Sequence, residues 1–337
     1  RRAGRFVSIP RGLIVSVDWN LVADIGGTNA RFAAIPVGEL ESQYEFHHSV
    51  EEHPEFADLL VDLLEEIAEA TGWDTAPISA CFAVACPADV EEITFTNSHW
   101  HFNKTQLKQL LGCQQLSVIN DFEAVAHGIT ELGDKDVVKV GGDQPVASKP
   151  IGILGAGTGL GVAGLVPLAD GYKIIDTEGG HADYPPITDR MAAVVGLLRR
   201  EYGRVSLERL LSGKGIFNIY RSLCTLGNKE RACETPAQVV AAAHQGDNEF
   251  ALQALNMFCA GMGSAAGNLA LTYGAKGGIY IAGGVVPRLK DFFINSEFRH
   301  KFEEKGRFVN YLKPIPVYIV VRENLGLLGA AKKLKQN

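Results

Sequence analysis

Two stretches of this chain read as one device used twice. Residues 21–34, LVADIGGTNARFAA, carry an apolar strand into Asp24, turn through Gly26-Gly27-Thr28-Asn29 and leave as a second strand. Residues 150–166, PIGILGAGTGLGVAGLV, repeat the pattern through Gly155, Gly157, Gly159 and Gly161, with Thr158 inside the turn. Glycine admits positive φ and lets a ligand approach the main chain closely. Turns whose successive N–H groups point inward form anion-binding concavities. A pair of them, each opening an α/β half, points to one polyphosphate clamped between two lobes.

The totals agree with a two-domain globular chain: 337 residues, 46% of them hydrophobic. A net charge of −7 excludes a nucleic-acid partner held by bulk charge. The six cysteines form no C-x-x-C pair, so they read as reduced core thiols of a cytosolic protein. Residues 250–275 lack a charge and contain Gly263-x-x-x-Gly267, but Gln253, Asn256, Ser264 and Asn268 dilute the run. A buried, closely packed helix is expected there, with no membrane span. The Arg-rich start, up to residue 16, reads as a short N-terminal extension.

Along the chain, residues 21–50 predict three strands in an antiparallel meander. Residues 54–72 predict a helix with Phe56, Leu59, Leu60, Leu63, Leu64 and Ile67 on one face, Pro54 at its start and Gly72 at its end. Residues 78–87 read as a buried central strand. Asn103 caps a short helix ending near Gly112, and residues 116–122 form a strand ending in Asn120-Asp121. After about residue 131 the scheme restarts. Helices dominate from 188 to 273, with Thr235-Pro236 and Ser206 as N-caps. Two later strands are expected, the first running into Gly283-Gly284, and a closing helix returns to the first lobe.

Asp24 beside a phosphate-sized turn could hold Mg²⁺, directly or through water, because magnesium keeps several waters and uses few carboxylates. An ordinary hairpin turn would explain the same residues. No G-x-x-x-x-G-K-[ST] is present, which closes the P-loop route. Gly159, Gly161 and Gly164 spell G-x-G-x-x-G, but a dinucleotide fold needs a helix to follow. Here Pro167 and a turn at Asp170-Gly171 follow, which predicts a β-hairpin. Asn120-Asp121 is the best candidate for a reacting centre, since an aspartate can take the proton of an acceptor hydroxyl. A strand-end turn is the alternative. Glu178-Gly-Gly-His181 offers an acceptor and a switchable donor in a glycine-flexed loop. Glu208, placed near an expected helix start, reads by itself as a helix-surface charge.

Taken together and in order, DIGGTNAR, FAVACP, TNSHW, VINDFEA, GILGAGTGLG, EGGHADY, VSLERLLSGKG, GGIYIAGGVVPR and NLGLLG resemble the bacterial-type glucokinase family, within the hexokinase and actin-like ATPase superfamily. The similarity spans about residues 20–332. It implies an α/β, two-lobed actin-like ATPase (ribonuclease H-like) fold with a nucleotide and sugar cleft between the lobes. The small domain would comprise residues 17–131 with 322–337, and the large domain 132–321. The implied activity is transfer of a phosphoryl group from ATP to D-glucose, the first step of glycolysis, in a cytoplasmic homodimer that uses Mg²⁺. Asp121 matches the family's catalytic base. Asn97, Asn120, Asp121, Glu178, His181 and Glu208 match its sugar-binding positions. Ala23, Asp24, Ile25, Gly26, Gly27, Thr28 and Asn29, together with Gly155, Gly157, Thr158 and Gly159, would embrace the ATP phosphates. Gly283 and Gly284 would pack near the adenosine, and Asp24 would serve Mg²⁺. EGGHADYPP has no cysteine, so the structural zinc of the related repressor/kinase group is not expected, nor is a helix-turn-helix. Two other readings remain open: a kinase for another hexose, and a non-catalytic ATP and sugar sensor.

Overall fold

The computed structural model describes residues 17–41, 43–95 and 98–336. The N-terminal extension read at 1–16 and the candidate Asn97 lie outside them. Contacts divide the chain into two units, Arg1–Gly128 with Asn324–Asn337, and Ile129–Glu323.

The first unit opens with the expected meander, β1 (Trp19–Ile25), β2 (Asn29–Pro36) and β3 (Tyr44–Ser49), both pairs antiparallel. Its first helix, α1 (Phe56–Thr71), buries Phe56, Leu59, Leu60, Leu63 and Ile67 at helical spacing and stops at Gly72, φ 74°. Glu55 stands at its N-cap, so Pro54 lies just outside the helix rather than in its first turn. A central strand β4 (Ser79–Val84), a small hairpin of β5 (Glu92–Thr94) and β6 (His101–Asn103), and α2 (Lys104–Leu111) follow. Asn103 Oδ1 accepts from the Gln106 N–H at 3.0 Å, and Gly112 closes α2 at φ 64°. Next, β7 (Gln115–Asn120) leads directly into α3 (Asp121–Ile129). The sheet order is β3-β2-β1-β4-β7, with β1, β4 and β7 parallel.

Side chains alternate across this sheet. Trp19, Leu21, Ala23 and Ile25 join the core under α1, while Val22, Cys81 and Ala83 join the opposite one.

The second unit restarts the same topology. It contains β8 (Val137–Lys139), β9 (Ile151–Ala156), β10 (Leu160–Leu168) and β11 (Gly171–Thr177). Four helices follow: α4 (Asp189–Tyr202), α5 (Gly213–Leu226), α6 (Pro236–Gln245) and α7 (Glu249–Tyr273). Then come β12 (Gly278–Ala282), α8 (Lys290–Ile294), α9 (Phe298–Glu303), α10 (Val309–Leu312) and β13 (Val317–Val320). The sheet order is β11-β10-β9-β12-β13-β8. The first five strands repeat the first unit's plan: an antiparallel meander whose first strand continues into two parallel strands. The G-x-G-x-x-G runs into the β10–β11 hairpin, where Leu168 pairs with Gly171, so no helix N-terminus follows the glycines.

Thr235 caps α6 in a capping box with Gln238, and Pro236 opens the helix. Ser206 does not cap a helix. It forms an isolated antiparallel bridge with Asp183, and α5 starts later, capped by Ser212. Among the described residues no helix is long and apolar enough to cross a membrane. In α7, a Cβ on Gly263 would lie 2.1 Å from the Phe298 carbonyl oxygen, and one on Gly267 2.5 Å from that of Phe302. The glycine pair is therefore the seat on which α9 crosses α7. All six cysteines are buried and free. The chain re-enters the first unit as α11 (Leu325–Lys335), whose Leu327, Ala330 and Ala331 fill the core opposite α1.

Candidate active site

In the first unit, the parallel register aligns Ile25, Val84 and Asn120 in one row at the carboxyl ends of β1, β4 and β7. With neighbouring strands about 4.8 Å apart, this row places the first glycine turn about 10 Å from Asn120-Asp121. Carboxyl ends of parallel strands are where open α/β sheets bind ligands.

The first turn is closed by the Gly26 N–H donating to the Asn29 carbonyl at 3.0 Å, and it presents Thr28 and Asn29 to solvent. Asn29 Nδ2 donates to Thr28 Oγ1 at 3.0 Å. One residue before the strand's end, Asp24 keeps a 26% exposed side chain with Arg31 Nη1 3.8 Å from its Oδ2. Burial raises the Asp24 carboxyl above the usual carboxylate range, and the Arg31 charge opposes that rise.

Asn120 Oδ1 accepts from the N–H groups of Phe122 (2.8 Å) and Glu123 (3.3 Å). The side chain thus caps α3, as a strand-end residue should, and its Nδ2 remains available to donate. Asp121 opens the helix, where the macrodipole favours a carboxylate. Burial raises the Cys86 thiol, and the Asp121 charge adds to that rise. Lys333 Nζ of α11 lies 3.4 Å from Glu123 Oε1. His127, whose Nε2 lies 3.7 Å from Glu123 Oε1, is the main influence holding the Glu123 carboxyl below its ordinary value.

In the second unit, the turn after β9 is closed by the Gly157 N–H donating to the Gly159 carbonyl at 2.9 Å. Three other segments brace it. The Gly213 N–H donates to Gly157 O at 2.9 Å, the Val285 N–H to Ala156 O at 3.0 Å, and the Leu160 N–H to Glu208 Oε2 at 3.0 Å. Glu208 is therefore not a helix-surface charge. It lies against the turn so closely that a Cβ on Gly159 would sit 2.4 Å from its Oε2.

A short ladder joins Glu208 to the Glu178–His181 turn. The Glu208 N–H donates to Gly180 O at 2.9 Å, and the Leu207 N–H to Ala182 O at 2.8 Å. A Cβ on Gly180 would meet Leu160 O at 1.9 Å, so only glycine fits where the loop crosses β10. His181 Nε2 and Glu178 Oε2 stand 3.8 Å apart, both well exposed. Arg204 steadies the loop by donating to His181 O (2.5 Å) and Asp183 Oδ1 (2.6 Å). Gly213 and Arg204 carry no local signature, because their partners lie far away in sequence.

Gly26, Gly157 and Gly159 do not use left-handed backbone, contrary to the usual reason for glycine in a turn. Gly283 does, at φ 84°, and a Cβ there would lie 2.4 Å from Ala156 O. The remaining glycines serve space. Beside Gly157 and Gly284 a Cβ would meet nothing within 4 Å, so their backbone faces open room. Within the first unit, an accessible acid beside the glycine turn fits a magnesium-bound polyphosphate, which asks for few carboxylates. Among the described residues no group of three or more His, Cys, Asp or Glu is placed to hold a metal by itself.

A family model described as Glucokinase matches residues 21–337. The glucokinase of Tolumonas auensis is 42% identical over 94% of this chain and 97% of its own length. That of Hahella chejuensis is 41% identical over 94% and 96%. A crystal structure of a glucokinase from an Antarctic psychrotroph superposes with a TM-score of 0.83 at 35% identity, covering 95% of this chain and 99% of that one. The repeated α/β topology is the actin-like ATPase fold shared with these sugar kinases. By sequence along nearly its whole length and by fold, the chain belongs to the glucokinase family.

Proposed function

We propose that this protein transfers the γ-phosphoryl group of ATP to the 6-hydroxyl of D-glucose, giving glucose 6-phosphate and ADP. One observation carries the reading: Asn120 and Asp121 stand at the carboxyl ends of the same parallel strands that carry the first glycine turn. An acid able to take a hydroxyl proton thus shares a sheet edge with a phosphate-sized cradle.

In the small domain (17–131 with 322–337), Asp121 accepts the proton of the sugar 6-hydroxyl as its oxygen bonds to the γ-phosphorus. The bond to the β,γ-bridging oxygen breaks and ADP leaves with that electron pair. Asn120 donates through Nδ2 to a neighbouring sugar hydroxyl, while its Oδ1 holds the head of α3. Of the stretch Ala23, Asp24, Ile25, Gly26, Gly27, Thr28 and Asn29, the turn N–H groups that follow Gly26 donate to phosphate oxygens, because the Gly26 N–H is spent on Asn29 O. Asp24 would hold Mg²⁺, directly or through water, and the ion would supply charge neutralisation for the phosphates.

In the large domain (132–321), the turn Gly155 to Gly159 lies along the phosphates, with the Thr158 and Gly159 N–H groups as donors because that of Gly157 is spent within the turn; Gly283 and Gly284 pack near the nucleoside, and Gly284 leaves room for it. Glu178, His181 and Glu208 accept from and donate to sugar hydroxyls, which present donors and acceptors in alternation. The resemblance supports a homodimer and a contact from Asn97. The free, buried cysteines support a reducing, cytoplasmic setting.

The test is coupled detection of the 6-phosphate with Mg·ATP, across glucose, mannose, fructose and N-acetylglucosamine. Highest kcat/KM with glucose is the expected result. Preference for another hexose would move the substrate, and sugar and nucleotide binding without turnover with any hexose would favour a sensor.

A further inference from the structure

The C-terminal helix meets Asp24 through a residue that has no side chain. On β1, Asp24 alternates with Ala23 and Ile25, so it points to the face covered by α11, where Val22 packs with Leu327, Ala330 and Ala331. A Cβ built on Gly326 would lie 2.8 Å from both Cγ and Oδ2 of Asp24, and 3.2 Å from Oδ1. Gly326 is helical and outside the left-handed region, so the backbone does not require glycine there. Glycine is also disfavoured in a helix. The three atoms nearest such a Cβ all belong to the Asp24 carboxylate, which accounts for the glycine.

Two other glycines of the same interface have a different neighbour. A Cβ on Gly329 would strike the Ala124 carbonyl oxygen of α3 at 1.7 Å. One on Gly128 would lie 2.7 Å from Leu325 Cδ1 and 2.8 Å from its carbonyl oxygen. Both let α3 and α11 pack backbone to backbone. Gly326 instead faces the acid beside the first glycine turn, whose Oδ2 also has Arg31 Nη1 at 3.8 Å.

We propose that Gly326 is a positioning residue for Asp24: the bare first turn of α11 sets where the carboxylate lies beside residues 26–29, and so its engagement of magnesium nucleotide. This rests on the assignment of Asp24 made above.

The test compares Gly326→Ala with Gly128→Ala, which overpacks the same helix pair away from Asp24. Calorimetric affinity for Mg·AMP-PNP, its free Mg²⁺ dependence, glucose affinity and melting temperature are measured on each. Gly326→Ala should weaken Mg·AMP-PNP about tenfold and raise the Mg²⁺ requirement, with glucose affinity unchanged. Gly128→Ala should lower only the melting temperature. Equal melting losses with nucleotide affinity intact in both would overturn the proposal.

If Gly326→Ala does not fold, Asp24→Ala is added to it. Recovery of soluble protein melting like Asp24→Ala alone supports the proposed contact, and no recovery overturns it. Asp24→Ala alone separates the two claims. Unchanged Mg·AMP-PNP affinity there removes the Asp24 assignment and the positioning claim with it. Weakened affinity there, with Gly326→Ala like wild type, removes only the positioning claim.

Discussion

The two glycine turns share a place in their sheets and differ in what holds them. The first, after β1, closes on itself by the Gly26–Asn29 hydrogen bond and stands next to an ionisable acid, Asp24. The second, after β9, has no acid inside it but is braced by Gly213, Val285 and the Glu208 carboxylate. One plan has thus yielded a turn that brings charge and a turn that is braced from outside. Within the second turn glycine serves two purposes. Gly159 is pressed against Glu208, whereas Gly157 faces open space.

Between the turns, the largest expected effect is one of charge. Asp24→Asn should lower kcat/KM for Mg·ATP by about 10- to 100-fold, the scale seen when groups tuning a metal site are altered. Glucose affinity should stay near wild type. A loss confined to glucose binding, read by calorimetry, would erase the distinction.

Bracing is tested next. Glu208→Ala strands the Leu160 N–H, which should cost about 1–3 kcal/mol in urea unfolding. Glu208→Gln keeps a carbonyl acceptor, so it should recover most of that stability while glucose KM stays raised. If both variants lost stability equally, the carboxylate's charge rather than its acceptor oxygen would be what holds the turn.

The smallest effect concerns open space. Gly157→Ala should stay within about 0.5 kcal/mol of wild-type stability, since a Cβ there meets nothing. Its KM for ATP should rise severalfold if the nucleotide lies along that backbone. An unchanged KM would place the phosphates elsewhere.

What could be read from the sequence was local. The meander, the Asn103 and Thr235 caps, the Gly263-x-x-x-Gly267 seat and the hairpin after the G-x-G-x-x-G each depend on neighbours in the chain. Ser206 failed as a cap because its backbone pairs with Asp183, across a loop, and the helix starts at Gly213 instead. Taken alone, Glu208 passes for a helix-surface charge for the same reason: its partner, the Leu160 amide, lies 48 residues earlier. Gly326 gave no sign of Asp24, since only the folded sheet brings the C-terminal helix across β1. Local propensity encodes elements and turns, whereas the side chains that brace a site are chosen by tertiary neighbours that no window of sequence contains.

The central claim is that Asp121, at the head of α3, takes the proton from the sugar hydroxyl. The direct measurement is kcat for glucose 6-phosphate formation by Asp121→Asn beside calorimetric glucose affinity of the same protein. The account predicts a fall in kcat of about 10²- to 10⁴-fold, the usual contribution of a general base, with glucose still bound nearly as tightly as by wild type. A kcat close to wild type, or a loss explained entirely by weaker glucose binding, would contradict it.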